Sequence, residues 1–205
     1  MAVVKLSTAG LTNYAQYSSM LAGNAPFNPI PPSAYDLLET TTLTSSASSV
    51  TFSGLGAYSD YAHLQVRAVL RSNYAGSSDV LHAYVNGDTG NNYARHNLTG
   101  RGSQGDVISG SSTSQQYFGR PSIKGAGGVA NSYMPLIFDL LDFSNTSKNS
   151  TARMIAGDAE NSETVEMHSG LWLNTDAITS LTMTGAFGTA LVTGSRLSIY
   201  GIKGA

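Results

Sequence analysis

The sequence predicts an all-β protein, a jelly-roll-like antiparallel β-sandwich preceded by a short helical and extended N-terminal leader. Two observations carry this. Apolar side chains alternate with period two in segment after segment between residues 35 and 202, punctuated by turn residues at sandwich spacing. No stretch beyond residue 35 has helical periodicity of useful length, and no internal repeat is visible.

The leader comes first. Leu11, Tyr14, Tyr17, Met20 and Leu21 recur at mixed three- and four-residue steps, which predicts a short helical segment. Thr12 or Asn13 serves as its cap and Gly23 stands just past its end. Residues 24–32 then hold four prolines, Pro26, Pro29, Pro31 and Pro32, which forbid helix and favour a stiff connector. The chain therefore divides into an attachment leader and connector, residues 1–34, and a sandwich domain, residues 35–205. A leader this rich in Tyr, Met and Leu does not readily close its own core. Leu11, Tyr14, Tyr17, Met20, Leu21 and Phe27 are expected to pack on another chain, the alternative being a leader folded back on its own domain.

Strands are expected at 35–44, 49–53, 63–72 and 80–85, the last closed by the tight-turn signal Asn86-Gly87-Asp88. In 63–72, Leu64, Val66, Ala68 and Leu70 share one face. Residues 99–130 are poor in apolar groups and dense in Gly and Ser, so they read as loop with one strand near 114–119. Core-like strands return at 133–143, 151–157, 164–173, 178–184 and 195–202, about nine or ten strands in all. Pro135 points to an edge or a bulge. The closing strand has apolar residues on both faces near its end, which fits a central sheet position or an interface.

Charged residues make up only 12% of the 205 residues, about half the usual share. Ser, Thr, Asn and Gly must then coat the surface. A net charge of −2 with scattered lysines gives no footprint for nucleic acid. No apolar run approaches bilayer length, and Met1 to Ser7 holds no signal-peptide core, so neither membrane insertion nor a secretion address is expected. The absence of cysteine excludes disulfides, thiolate metal sites and a thiol nucleophile.

Several segments together resemble a known group. They are Tyr35-Asp36-Leu37-Leu38-Glu39-Thr40-Thr41, Val50-Thr51-Phe52-Ser53, Tyr61-Ala62-His63-Leu64-Gln65-Val66-Arg67, the run from Val85 to Tyr93, and Gly194 to Lys203. In this order they are similar to β-sandwich modules of structural proteins in tailed phages, many from marine and cyanobacterial hosts. The leader, from Lys5 to Asn24, also resembles leaders of that group. The resemblance implies a jelly-roll-like sandwich, assembly as a homotrimer, and attachment to other virion proteins through the N-terminal segment. The protein would be assembled in the host cytoplasm and carried in the virion.

The search for chemistry finds little. His63, His82, His96 and His168 form no close metal-ligand pair, and no nucleophile elbow or phosphate loop is present. Asp158, Glu160, Glu163 and Glu166 read as a solvated hairpin, since their spacing matches no calcium loop. Asn86, Asp88, Asn91 and Asn92 read as turn chemistry, with calcium a minor alternative. No catalytic residue, metal or cofactor is expected. Tyrosines at loops and strand ends, Tyr58, Tyr61, Tyr74, Tyr84, Tyr93 and Tyr117, are candidates to stack on sugars or fill a partner pocket. Tyr74, Tyr93, Tyr117 and Phe118 are taken as host-contact residues toward a surface glycan or protein. The expected function is a tail fibre or adhesin subunit. A capsid decoration protein is the alternative, and a polysaccharide-degrading enzyme is a third reading.

Overall fold

The computed structural model describes residues 34–102, 106–160 and 164–204. The expected leader helix, and Leu11, Tyr14, Tyr17, Met20, Leu21 and Phe27 with it, lie outside the described residues. Within the described residues there are twelve strands, one short 3-10 turn (Leu55–Tyr58) and no α-helix. In chain order the strands are β1 (Tyr35–Thr42), β2 (Ser49–Ser53), β3 (His63–Leu70), β4 (Ser78–Val85), β5 (Tyr93–Arg101) and β6 (Asp106–Gln115). Then come β7 (Ser122–Lys124), β8 (Met134–Leu141), β9 (Ser150–Asp158), β10 (Thr164–Trp172), β11 (Ser180–Gly185) and β12 (Arg196–Ile202).

They form a sandwich of two sheets. The larger has the order β1-β12-β3-β8-β9-β10-β5-β6, the smaller β2-β11-β4-β7, and every strand ladder is antiparallel. The core fills the space between them because each strand sends alternate side chains inward. Leu64, Val66, Ala68 and Leu70 of β3 meet Met134, Leu136, Phe138 and Leu140 of β8, and Phe52, Leu81, Leu181 and Met183 face them from the small sheet. Each Leu, Val, Phe or Met side chain among these, fully buried, contributes roughly 1.5–3 kcal/mol. β12 lies between β1 and β3, the interior position its two-sided apolar pattern predicts.

Two expectations are corrected. Residues 99–130 are not mainly loop: β5, β6 and β7 run through them. β6 is the edge strand of the large sheet, and Ser109 to Gln115 are exposed or half-buried. Its backbone ladder to β5 holds it, so hydrophobic alternation has nothing to record there. Pro135, expected at an edge or bulge, sits in the interior strand β8. The β9 ladder begins only at Leu136, so on that side Pro135 has no ladder bond to lose.

Candidate functional site

The outer surface of the small sheet is mostly uncharged. Thr51, Thr182 and Tyr84 lie opposite one another across three strands, as do Ser49, Thr184 and His82. The hydroxyls of Thr51 and Thr182 hydrogen-bond at 2.9 Å. Beyond β4, the chain leading into β7 runs on alongside it. The Phe118 amide donates to the Ala83 carbonyl at 2.9 Å, and the Leu81 amide to the Pro121 carbonyl at 2.8 Å. These bonds fix Tyr117 and Arg120 on the sheet edge. The Tyr117 ring stacks on His82, with centroids 3.8 Å apart and planes 10° from parallel.

A second loop completes the platform. The Arg120 guanidinium carbon lies 5.7 Å from the Phe187 ring centroid, and Phe187 packs on Tyr74 at 5.5 Å. Phe187 is 56% exposed yet held in place by its backbone. The buried Asp79 carboxylate accepts the amides of Phe187 and Gly188, both at 3.0 Å, and of Val80 at 2.6 Å. The Asn73 side-chain oxygen accepts the Thr189 and Ala190 amides at 2.9 and 3.1 Å, tying the Tyr74 loop to the Phe187 loop. Tyr74, Phe187, Arg120, His82 and Tyr117 thus make one ridge on rigid supports.

Its electrostatics are unusual. Burial, reinforced by the nearby Arg120 charge, lowers the His82 pKa to about 4 despite the opposing Asp79, so the imidazole is neutral at pH 7. His82 Nε2 and Arg120 Nε are both buried without a hydrogen-bond partner. The other partly or fully buried arginines are satisfied. Arg71 donates to four carbonyls, and Arg95 to Gln115 and Asn97.

Of the sequence-predicted contact residues, Tyr74 and Tyr117 come together here, both half-buried. Tyr93 and Phe118 do not, and are corrected: both are fully buried. Tyr93 opens β5 with its side chain inward, opposite Trp172, and packs edge-on against Phe118 at 5.1 Å. Its hydroxyl donates to the Asp88 carbonyl at 2.9 Å and accepts from the Val85 amide at 3.1 Å. Phe118 continues the stack to Phe138. Tyr58, Tyr61 and Tyr84 pack partly buried against the core. Sequence reasoning missed Arg120 and Phe187. A large apolar residue between Gly185 and Gly188, in a turn too short to bury it, was the available signal for Phe187; an isolated arginine carries none.

The acidic hairpin is also corrected, for Asp158 and Glu166 are buried rather than solvated; Glu163 lies outside the described residues. Asp158 holds the buried Lys124 ammonium through both oxygens at 3.1 Å, and Glu160 approaches it at 2.6 Å. Glu166 accepts the Ser122 amide and hydroxyl, each at 2.7 Å. Burial pushes its pKa up, but hydrogen bonds from His168 and Ser122 prevail and hold it below the usual carboxylate value. Asn86 and Gly87 adopt positive φ in their turn, and Asp88 bonds the Gly90 amide, Asn92 and the Trp172 indole. Among the described residues, no group of three His, Asp or Glu is placed to hold a metal ion.

The large sheet offers a different surface. On its outer face Ile137, Ile155, Met167 and Leu98 stand opposite one another across β8, β9, β10 and β5, each more than 40% exposed. Arg67 begins the row, its guanidinium 4.8 Å from the rings of both Tyr35 and Tyr200. In the adjoining row Gln65 donates to Asp139 at 2.6 Å, and Arg153 grips the other oxygen at 2.8 and 2.9 Å.

No known family model matches this chain, and no curated protein sequence does. Among solved structures it is similar to the galectin LEC-6 of Caenorhabditis elegans, at 9% identity and a TM-score of 0.30, covering 85% of this chain and 99% of that one. It is also similar to the CBM40 of the Ruminococcus gnavus IT-sialidase, at 10% identity and a TM-score of 0.28, covering 80% of this chain and 90% of that one.

Proposed function

We propose that the chain is a non-enzymatic structural module of a tailed-phage particle, of tail fibre or adhesin type. It docks on other virion proteins through residues 1–34 and meets the host through the small-sheet ridge. The observation that supports this reading best is the ridge itself. Five ring-bearing or cationic side chains, Tyr74, Phe187, Arg120, His82 and Tyr117, stand on backbone supports that are already hydrogen-bonded. Such a surface binds by contact, with little ordering cost on engagement. The exposed row Ile137–Ile155–Met167–Leu98 supports association of copies, and the module is proposed to act as a homotrimer.

Gold-labelled antibody on intact particles tests the placement. Label at the tail is expected, and label over the head shell overturns the tail reading. That second outcome is the capsid decoration alternative, which the same apolar row favours, since a clamp between shell subunits needs a broad dry face. Light scattering on the purified protein is expected to give three chains per particle, and a monomer at micromolar concentration counts against the trimer. The third reading, cleavage of capsular polysaccharide, predicts new reducing ends on incubation with host capsule.

A further inference from the structure

We propose that the small-sheet ridge is a binding site for an acidic saccharide, whose carboxylate pairs with Arg120 while its sugar rings lie on Tyr117 and Phe187. This deepens the host-contact reading above and rests on it.

Arg120 carries the argument. It is half-buried, its Nε is buried without an acceptor, and the described residues give its guanidinium neither a hydrogen bond nor an ion pair, only the face of Phe187. A guanidinium has five donors in a fixed fork, and one withdrawn from water without acceptors costs stability unless something else supplies them. Asp79 is the carboxylate that, like Arg120, acts on His82, and three backbone amides already occupy it. Nε itself is closed off, but the two terminal Nη groups of this half-buried side chain carry no bond either, and an incoming carboxylate can take both through two parallel bonds.

The rest of the ridge selects the class of anion. On either side of Arg120 stand flat faces, the His82–Tyr117 stack and the Phe187–Tyr74 pair, suited to the apolar faces of sugar rings. Thr184, opposite His82 on the next strand, is an uncharged group whose hydroxyl donates to the Ser48 carbonyl and can still accept from a sugar hydroxyl. This sparse charge, Arg120 with the Arg95 that also acts on His82 and an Asp79 already taken up by backbone amides, fits a polymer with one carboxylate per sugar. It does not fit the densely charged backbone of a nucleic acid, which needs clustered cations. An acidic peptide shares the carboxylate but lacks the ring faces that the two aromatic pairs offer.

The test uses the full chain and isothermal titration calorimetry with oligogalacturonate and oligoalginate. The same oligomers with their carboxyls reduced to alcohols serve as controls, and polyglutamate as the peptide arm. At least one uronate oligomer should bind, its reduced form at least tenfold more weakly. Arg120→Gln should weaken uronate binding at least tenfold and Tyr117→Ala severalfold, while Arg196→Gln, on the other sheet, leaves it unchanged. Circular dichroism checks that each variant keeps its β signal, and Arg120→Lys, which keeps charge without the fork, gives a second measure and should fall between wild type and Gln. Equal binding of the reduced oligomers, unchanged binding by Arg120→Gln, preference for polyglutamate, or no binding to either uronate overturns the inference. Those failures leave the virion reading standing if antibody still labels the tail, whereas label absent from particles sinks that reading whatever the calorimetry gives.

Discussion

Lys124→Met is the sharpest probe of how the small sheet's edge is held to the large one. The ammonium is 1% exposed and touches three carboxylate oxygens, two of Asp158 and one of Glu160. Methionine fills similar space without charge and strands Asp158, which is only 8% exposed. Removing one partner of a buried pair costs about 3–5 kcal/mol. The low end is expected here, because Glu160 is partly open to water and Asp158 keeps a bond from the Glu160 amide. A loss of about 3 kcal/mol should lower the melting temperature of a domain this size by roughly 6–12 °C. Urea and thermal unfolding by circular dichroism measure it. In the double variant Lys124→Met/Asp158→Asn the stranded charge is gone, and about 1 kcal/mol or more should return. Burial disfavours the ammonium, but its bonds to Glu160 and Asp158 prevail and raise the pKa, so on the alkaline side the contribution persists above neutral pH and fades as the solution becomes strongly alkaline. A single variant costing under about 1 kcal/mol, or a double variant no better than the single, refutes this reasoning.

Other perturbations follow from the same geometry. Arg71 donates to the carbonyls of Ala126, Gly128, Val129 and Ser132, so Arg71→Ala should cost about 3 kcal/mol or more and speed amide exchange in that loop above all; uniform exchange would mean the loop is held otherwise. His82, with its pKa near 4 in the fold against 6.5 when unfolded, resists protonation that the unfolded chain accepts, so stability falls as pH drops from about 6.5 toward 4. With solvent screening the loss is roughly 1–2 kcal/mol, and His82→Gln should flatten urea midpoints between pH 7 and pH 4.5 by that amount. Glu166, whose pKa is depressed, adds its own loss at lower pH in both proteins. A Cβ on Gly170 would meet the Phe118 carbonyl oxygen at 2.4 Å, so Gly170→Ala should destabilise by about 1–3 kcal/mol, and a neutral melt would refute the close approach.

The sequence by itself determined the sandwich, because alternation along a strand is a local record of which face is buried. Leu64, Val66, Ala68 and Leu70 announce an inner face before any partner is known, and β2 falls where Val50 and Phe52 place it. β6 left no such record, since its ladder to β5 is made of backbone bonds that any side chain permits. What only the tertiary structure decided was which polar and aromatic groups meet. Lys124 and Asp158 are 34 residues apart and find each other across two strands, which turned an apparently solvated hairpin into a buried ion pair. Tyr93 and Phe118 looked like loop residues but face the core. Arg120 gains its meaning from Phe187, on a distant loop. Burial and pairing of this kind depend on strand order, and strand order is set by long-range packing that no short window of residues contains.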